Sequence, residues 1–425
     1  MKERKIRSPW TWVPSLYFAE GMPYIIVMTV SVIMYKRLGL SNTDIALYTS
    51  WLYLPWVIKP LWSPVVDLFK TKRAWILAMQ LIIGAGLGGI ALTIPADNYI
   101  QLTLLFFWLM AFSSATHDIA ADGFYMLGLS EHHQAFFVGI RSTFYRFAML
   151  TGQGLLVILA GYFEELYSIK TAWVIVFVIL AGLFVLFFIY HYFALPYPGV
   201  DVSRKAVSAK KFFEDFINTF LMFFKKKGIL ITIGFLLFYR FSEAQLVKIA
   251  APFLLDKREI GGLELTTSEV GLIYGTIGLI ALMIGGILGG IVCSKDGLKK
   301  WLWWMLIAIN LPNTVYVYMS LLQPESFYMI SSLIAVEQFG YGFGFTAYML
   351  FMIYVSEGEH KTAHFAITTG FMALGMMIPG MFSGWLQEAL GYKMFFIWIL
   401  IATIPAFVIT KFIKIDPLFG IKKEK

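Results

Sequence analysis

Residues 102–122 read LTLLFFWLMAFSSATHDIAAD, a long run of apolar side chains that ends in one histidine and two aspartates. A helix of about 20 mostly apolar residues crosses the hydrocarbon core of a bilayer. An ionised carboxylate near the middle of that core costs about 2.5–3.5 kcal/mol on insertion scales. The stretch therefore predicts a membrane-spanning helix, and the cost of Asp118 and Asp122 indicates that these acids serve a function.

The composition of the whole chain supports a membrane protein. Of the 425 residues 59% are hydrophobic and only 14% are charged, whereas soluble proteins carry about 25% charged residues. The single cysteine, Cys293, excludes an internal disulfide. The basic N-terminus is followed by a long apolar stretch without a small-residue cleavage site, so we interpret that stretch as a first span.

Hydropathy divides the chain into twelve predicted spans and one long connection. The connection, residues 195–228, separates a predicted N-terminal six-helix bundle, 1–194, from a C-terminal one, 229–425. Its aromatic, lysine-flanked middle predicts an amphipathic helix at the membrane surface. The predicted spans are 12–34, 43–66, 74–94, 100–127, 136–160, 171–194, 229–254, 267–292, 300–321, 326–355, 362–387 and 392–413.

The two halves resemble each other in sequence. FAEG at 18–21 parallels FSEA at 241–244, and SEHHQAFF at 130–137 parallels SEGEHKTAHF at 356–365. Such internal repeats build many secondary transporters, whose sites lie near the midplane between the repeats. We therefore expect an all-α protein of two pseudo-symmetric bundles that forms no metal site and needs no cofactor.

The distribution of basic residues predicts the orientation. With both termini in the cytoplasm, the inside segments hold 23 Lys and Arg and the outside loops hold 6, which satisfies the positive-inside rule. The net charge of +8 is therefore a membrane-orientation signal and not a nucleic-acid footprint. The cytoplasmic turns also contain His132, His133, His360 and His364, which we expect to be solvated.

Away from their ends, the predicted spans contain five acids and five bases. Because lone buried charges are costly, the balance predicts a cavity or bundle lined by both signs. Asp118 and Asp122 share a helix face, and their repulsion favours a proton on one of them. The candidates for proton coupling are Asp118, Glu243, Asp122 and Glu20. The candidates for substrate binding are Arg146, Arg240, Lys59, Lys248 and Glu337.

In each half, the turn after the second span has an acid followed by basic residues. They read DLFKTKRAW at 67–75 and SKDGLKKW at 294–301. Because they lie at the membrane edge, we expect them to act in gating. The candidates are Asp67, Lys72, Arg73 and Asp296. His117, Asp118 and Asp122 have poor spacing for a metal, because one helix seldom supplies three ligands.

Several motifs together resemble the major facilitator superfamily, and within it the AmpG-type muropeptide permeases, which are related to acetyl-CoA transporters. The resemblance covers nearly the whole chain and rests on FAEGMP, KPLWSPVVD, SATHDIAAD, YRFAMLTGQG, YRFSEA and FGYGFGFTAYM. It implies a multi-pass protein of the bacterial inner membrane, monomeric, that imports cell-wall-derived sugar–peptides with protons.

The resemblance also implies roles for single residues. The acids of its motifs are Asp118, Asp122 and Glu243, and the basic residue of YRFAML is Arg146. This chain departs from the family at Glu20, where a small polar residue is more common, and at Glu243, where aspartate is more common. An acid at Glu20 disfavours an anionic ligand unless a lysine such as Lys59 or Lys248 neutralises it.

Three other functions stay open from the residues alone. One is a transporter of the same fold for an oligosaccharide, nucleotide thioester, siderophore or drug. The second is a membrane-embedded acyltransferase, because HDIAAD has the His-x4-Asp spacing of some of these enzymes. The third is a sensor with a transporter fold. The duplicated halves with charges in equivalent spans favour a transporter.

Overall fold

The computed structural model describes residues 8–199, 201, 209–358 and 360–420, and within them every regular element is a helix. Side chains such as Leu92 and Leu230, which are 83% and 80% exposed, lie on helix surfaces. Large exposed apolar side chains are stable on a helix when lipid surrounds it. The predicted all-α class is confirmed.

The helices group into two compact units. The first contains the residues up to Ser31 together with Ile58–Phe216. It has a core around Trp12, Phe124 and Tyr125. Its helices are α1 Val13–Ile25, α4 Leu54–Leu68, α5 Lys72–Thr93, α6 Tyr99–Gly128, α7 Glu131–Met149, α8 Leu156–Leu166 and α9 Ile169–Ala194.

The second unit contains Val32–Val57 and the residues from Ile217 onward. Aromatic rings fill its core, among them Phe235, Tyr239 and Tyr348. The division of the chain into bundles 1–194 and 229–425 by sequence repeats stays a prediction. Two helices begin in the first unit and end in the second, α2 Ser31–Arg37 and α10 Ala209–Phe224. The other helices of the second unit are α3 Asn42–Trp51, α11 Ile229–Phe238, α12 Phe241–Leu255, α13 Thr267–Leu272, α14 Leu279–Asp296, α15 Leu298–Asn310, α16 Thr314–Leu322, α17 Phe327–Ser356, α18 Lys361–Ile401 and α19 Ile404–Thr410.

Ten stretches of the described chain are long and apolar enough to cross a membrane. The predicted second span is made of two shorter helices, α3 and α4, which a turn at Leu52 and Tyr53 separates. The predicted eleventh and twelfth spans form one long helical stretch that breaks at Gly391, where φ is +70°. Glycine adopts this left-handed conformation without the steric cost that a Cβ brings.

In the part of the chain that the structure describes, three spans contain a wide helical turn with i→i+5 geometry, at Ile26–Val30, Leu150–Leu155 and Ile273–Gly278. Such turns are rare and occur frequently at functional sites. The first follows α1, the helix that carries Glu20, and the second follows α7. Two of the three wide turns therefore lie close in sequence to charged residues of the first unit.

The connection between the halves contains the predicted helix, α10. Phe223 near its end is buried and packs against the rings of His364 and Phe371. Here one prediction is wrong: His364 is only 4% exposed, and its Nε2 lies 3.3 Å from the carbonyl oxygen of Thr219. The histidine is buried because α10 covers it. Its position in a predicted turn of the sequence gave no information about this packing.

Candidate functional site

A charged cluster in the first unit brings together Glu20, Lys59, Asp118, Asp122 and Arg141. Lys59 Nζ lies 3.3 Å from Asp118 Oδ2, and Arg141 Nη1 lies 2.9 Å from Asp122 Oδ1. The side chains come from α1, α4, α6 and α7. Asp118 and Asp122 are one helical turn apart, as the spacing predicts, but each meets a different cation.

Asp122 has a second partner. The hydroxyl of Tyr17 donates to Asp122 Oδ1 over 3.1 Å, and Arg141 Nη1 also donates to the Tyr17 oxygen over 2.8 Å. The Arg141 guanidinium lies over the Tyr17 and Tyr125 rings, 4.9 Å from each centroid. Arg141 is thus held by an acid and two aromatic faces.

Glu20 is the third acid of the charged cluster. It is 7% exposed, and among the described residues its Oε2 has no hydrogen-bond partner. Its electrostatic neighbours include Asp118, Asp122, Lys59 and Arg141. Three carboxyl groups therefore face two cations, so the cluster is electrically neutral only when one carboxyl group holds a proton. Arg146 on α7 is half-buried and has no ion-pair partner in the described part of the chain.

In the second unit, Arg240 lies between α11 and α12 rather than inside a helix, with φ −112°. Its guanidinium donates to the Tyr341 hydroxyl and lies over the rings of Tyr341 and Phe345, 5.2 and 4.8 Å from their centroids. Arg240 is the N-cap residue of α12, and Glu243 lies in the first turn of that helix.

Two buried acids of the second unit lack a cation within ion-pair distance in the described structure. Glu243 Oε2 has no hydrogen-bond partner there. Glu337 on α17 accepts from the Gln338 amide over 2.9 Å and from the Tyr316 hydroxyl over 3.4 Å. Glu243 is an electrostatic neighbour of Glu337. The two acids repel each other where water is scarce, and a proton on either one relieves that repulsion.

Lys248, on α12, is also buried. Its Nζ donates to Thr49 Oγ1 over 2.9 Å and lies 5.1 Å from the centroid of the Tyr53 ring. Both partners belong to the Val32–Val57 segment of the second unit.

The predicted gating residues have local partners. The backbone N–H groups of Lys72 and Arg73 donate to the two oxygens of Asp201, over 2.8 and 3.1 Å, which satisfies the first turn of α5. The Arg73 guanidinium donates to the Tyr192 carbonyl over 2.5 Å and lies 4.0 Å from the Tyr197 ring centroid. Asp296 accepts from Lys300 over 3.0 Å. The side chain of Asp67 lies outside the described residues.

Sequence reasoning missed a buried polar chain across four helices of the first unit. Ser15 Oγ lies 3.0 Å from His191 Nε2, His191 Nδ1 lies 3.0 Å from Gln80 Oε1, and Gln80 Nε2 lies 3.1 Å from His117 Nε2. We call these four residues the polar chain. Gln80 and His191 were visible as single polar residues in apolar spans, but only packing shows that they meet.

A second missed group, the clamp cluster, lies in the second unit and consists of Lys36, Asn42, Asp256, Gln387 and Tyr392. Lys36 Nζ is 2.6 Å from Asp256 Oδ1, and the Tyr392 hydroxyl donates to Asp256 Oδ2 over 2.5 Å. Asn42 Nδ2 donates to Gln387 over 2.6 Å and to Tyr392 over 3.0 Å. These residues come from connections and span ends that the positive-inside count places outside the cell.

Metal chemistry has no support in the described part of the chain, where no group of three or more His, Cys, Asp or Glu residues could hold an ion. His117 belongs to the polar chain, and the two aspartates of its motif face cations.

Comparison with known proteins gives consistent results. The family model described as Major Facilitator Superfamily matches residues 15–357. A protein of Rickettsia conorii named "Putative transporter AmpG 4" is 26% identical over 94% of each chain. The "Anhydromuropeptide permease" of Escherichia coli is 24% identical over 93% of this chain and 77% of its own length.

Solved structures of low sequence identity share the fold. The nucleoside transporter NupG superposes with a TM-score of 0.69 at 15% identity, covering 95% of this chain and 98% of NupG. The inward-open xylose transporter XylE from E. coli gives a TM-score of 0.67 at 14% identity, covering 95% and 96%. At these identities the likeness concerns the fold alone.

Proposed function

The chain belongs to the Major Facilitator Superfamily and is a secondary transporter, and from this premise we propose that it imports cell-wall-derived muropeptides or amino-sugars together with protons. Membership of this family confirms the resemblance inferred from the motifs and excludes the acyltransferase alternative. The substrate class rests on the relatives named AmpG and anhydromuropeptide permease.

The observation that carries proton coupling is the charge count of the charged cluster. The cluster has three carboxyl groups and two cations, so it is electrically neutral when one carboxyl group holds a proton. A carboxyl group that exchanges this proton with water on either side of the membrane would couple its movement to transport. A membrane potential of 100 mV supplies about 2.3 kcal/mol for each charge that crosses, which is comparable to a shift of one to two units in proton affinity.

We assign the coupling role first to Asp118 and second to Glu243, with Asp122 and Glu20 as further candidates. Arg146, Arg240, Lys59, Lys248 and Glu337 are the candidates for substrate contact. Protonation of Asp118 would weaken its ion pair with Lys59, which gives the proton a direct effect on how α4 and α6 are held together. Glu243 has the analogous position in the second unit beside Arg240 and Glu337.

The test uses neutral mimics in proteoliposomes, with anhydro-muropeptide as the substrate. Asp118→Asn and Glu243→Gln should abolish uptake driven by a pH gradient. Counterflow exchange needs no net proton movement, so at least one of the two variants should retain it. Asp97→Asn is the matched control, because this exposed aspartate lies in the connection between α5 and α6 and should leave both activities unchanged.

Two results would count against the proposal. If both variants keep gradient-driven uptake, neither carboxylate couples protons and the acids are structural partners of the buried cations. If the unaltered protein moves neither anhydro-muropeptide nor a related amino-sugar, the substrate class is wrong while the transporter fold stands.

A further inference from the structure

Glu20 is a buried acid of the first unit that has no cation of its own. It lies inside α1 and is 7% exposed, and its Oε2 has no hydrogen-bond partner in the described part of the chain. No lysine or arginine among the described residues lies within ion-pair distance of it. An ionised carboxylate in such a position is costly, because it loses its hydration and no ion pair replaces it. The protonated form avoids this cost.

The other two acids of the charged cluster each have a cation in contact. Asp118 Oδ2 lies 3.3 Å from Lys59 Nζ, and Asp122 Oδ1 lies 2.9 Å from Arg141 Nη1. The Tyr17 hydroxyl donates a further hydrogen bond to Asp122 Oδ1 over 3.1 Å. An adjacent cation and a donated hydrogen bond both favour the ionised form of a carboxyl group. The contacts of the two aspartates therefore hold them in the charged state.

The electrostatic surroundings of Glu20 point the same way. The charged and titratable groups that interact with it are Tyr17, Lys59, Asp118, Asp122, Arg141 and Tyr145. Both cations of this set already contact an aspartate, so an ionised Glu20 would face two carboxylates with no cation of its own. A proton on Glu20 removes this repulsion and keeps both ion pairs. A proton on either aspartate would weaken an ion pair and leave Glu20 charged.

We propose that Glu20 holds the exchangeable proton of the charged cluster, while the two aspartates stay ionised in their ion pairs. This inference rests on the proposed proton-coupled transport and names the group that carries the proton in this conformation. Asp118 acts on that proton through its charge, because its carboxylate occupies Lys59. When the Asp118 charge is lost, Lys59 attracts the Glu20 carboxylate instead, so Glu20 ionises and the cluster holds no proton.

The first experiment locates the proton without any transport assay. Each acid is replaced by its neutral isostere, in Glu20→Gln, Asp118→Asn and Asp122→Asn, and thermal unfolding is measured on the purified protein in detergent at neutral pH. At the site that already holds the proton, the amide changes no charge. The unfolding temperature of Glu20→Gln should therefore equal that of the unaltered protein. Both aspartate variants should unfold several degrees lower, because each loses an ion-pair contact.

Infrared spectroscopy shows whether the cluster holds a proton at all. A protonated carboxyl group has a C=O stretching band that an ionised carboxylate lacks. The difference spectrum between the unaltered protein and Glu20→Gln should show the loss of one such band. Glu165→Gln is the matched control, because this glutamate is exposed near the end of α8, and the substitution should remove no band.

Transport separates the proton from the substrate. With anhydro-muropeptide in proteoliposomes, Glu20→Gln should abolish uptake driven by a pH gradient and retain counterflow exchange. Glu20→Asp keeps an acid at this position and should retain part of the gradient-driven uptake. Glu165→Gln should leave both activities unchanged.

The outcomes are distinguishable. If Asp118→Asn unfolds at the temperature of the unaltered protein, or if Glu20→Gln is destabilised as strongly as Asp118→Asn, the assignment to Glu20 is overturned and the proposed function stands with Asp118 as carrier. Retention of every carboxyl band in Glu20→Gln would overturn both the inference and the charge count behind proton coupling. Stabilisation by sodium chloride over choline chloride that disappears in Glu20→Gln would overturn the inference in favour of a bound sodium ion.

Discussion

Gly384 on α18 marks a close approach between the backbones of two helices in the second unit. A Cβ at this position would lie 1.9 Å from the Asn42 carbonyl oxygen and 2.7 Å from Thr43 Cα. Real atoms cannot approach so closely, so any side chain here would push α3 away from α18. Small residues have this role in membrane proteins because packing, rather than the exclusion of water, holds the helices together.

We therefore expect Gly384→Ala to destabilise the protein by about 2 kcal/mol or more, since overpacking typically costs about 1–3 kcal/mol. Gly290 on α14 is a matched control, because a Cβ there meets no atom within 4 Å. Gly290→Ala should raise stability slightly, by up to about 1 kcal/mol. Thermal unfolding in detergent measures both, and equal effects of the two substitutions would contradict the packing argument.

Among the helices, the clamp cluster fixes α2 and α3 to the end of α12 and to the region of α18 around its break at Gly391. Its ion pair is mostly buried, with 14% of the Lys36 side chain and 13% of the Asp256 side chain exposed. Thr43 adds a hydrogen bond of 2.5 Å to Glu388. The sequence predicts that these residues belong to external connections and span ends.

Lys36→Met and Asp256→Asn should each lower the unfolding temperature, by an amount equivalent to about 1–3 kcal/mol, because each leaves a charge without its partner. Combining them should cost less than the sum of the two single effects, because both remove the same contact. A double-mutant cycle by thermal unfolding tests this. Additive losses would show that the two side chains are not energetically coupled.

The polar chain connects α1, α5, α6 and α9 through neutral side chains. Gln80→Leu should destabilise the protein by about 2–4 kcal/mol, because it removes one hydrogen-bond partner from each of the buried imidazoles of His117 and His191. It should also lower gradient-driven uptake, since His117 precedes Asp118 on α6. The control is Gln101→Leu, at an exposed position of α6, which is one of these four helices. An unchanged unfolding temperature in Gln80→Leu would show that the polar chain does not stabilise the protein.

For the whole molecule, the basic-residue count predicts that both termini and the central connection are cytoplasmic. Cysteine labelling tests this in a Cys293→Ala background, where Asp215→Cys should react only after the membrane is made permeable. A cysteine at Lys170, in a predicted external turn, should react in intact cells. Labelling of position 215 from outside would reverse the orientation and with it the external assignment of the clamp cluster.

The hydrophobic composition of the sequence determined the helical fold. In a bilayer the backbone N–H and C=O groups must bond to each other, and a helix satisfies them within one segment. The sequence alone indicated the all-α fold, the family and the acids within spans, Asp118, Asp122 and Glu243. These features are local, since a carboxylate in an apolar run is visible without knowledge of its neighbours. The motif FAEGMP likewise placed Glu20 inside a span.

Only the tertiary structure decided which charges meet. It paired Asp118 with Lys59 and Asp122 with Arg141, left Glu20 as an excess acid, and placed Arg240 at the N-cap of the helix that carries Glu243. The clamp cluster and the polar chain join residues more than a hundred positions apart. Their formation depends on helix packing and on breaks such as the one at Arg240, because side-chain partners across helices are set by the positions of backbones and not by spacing along one chain.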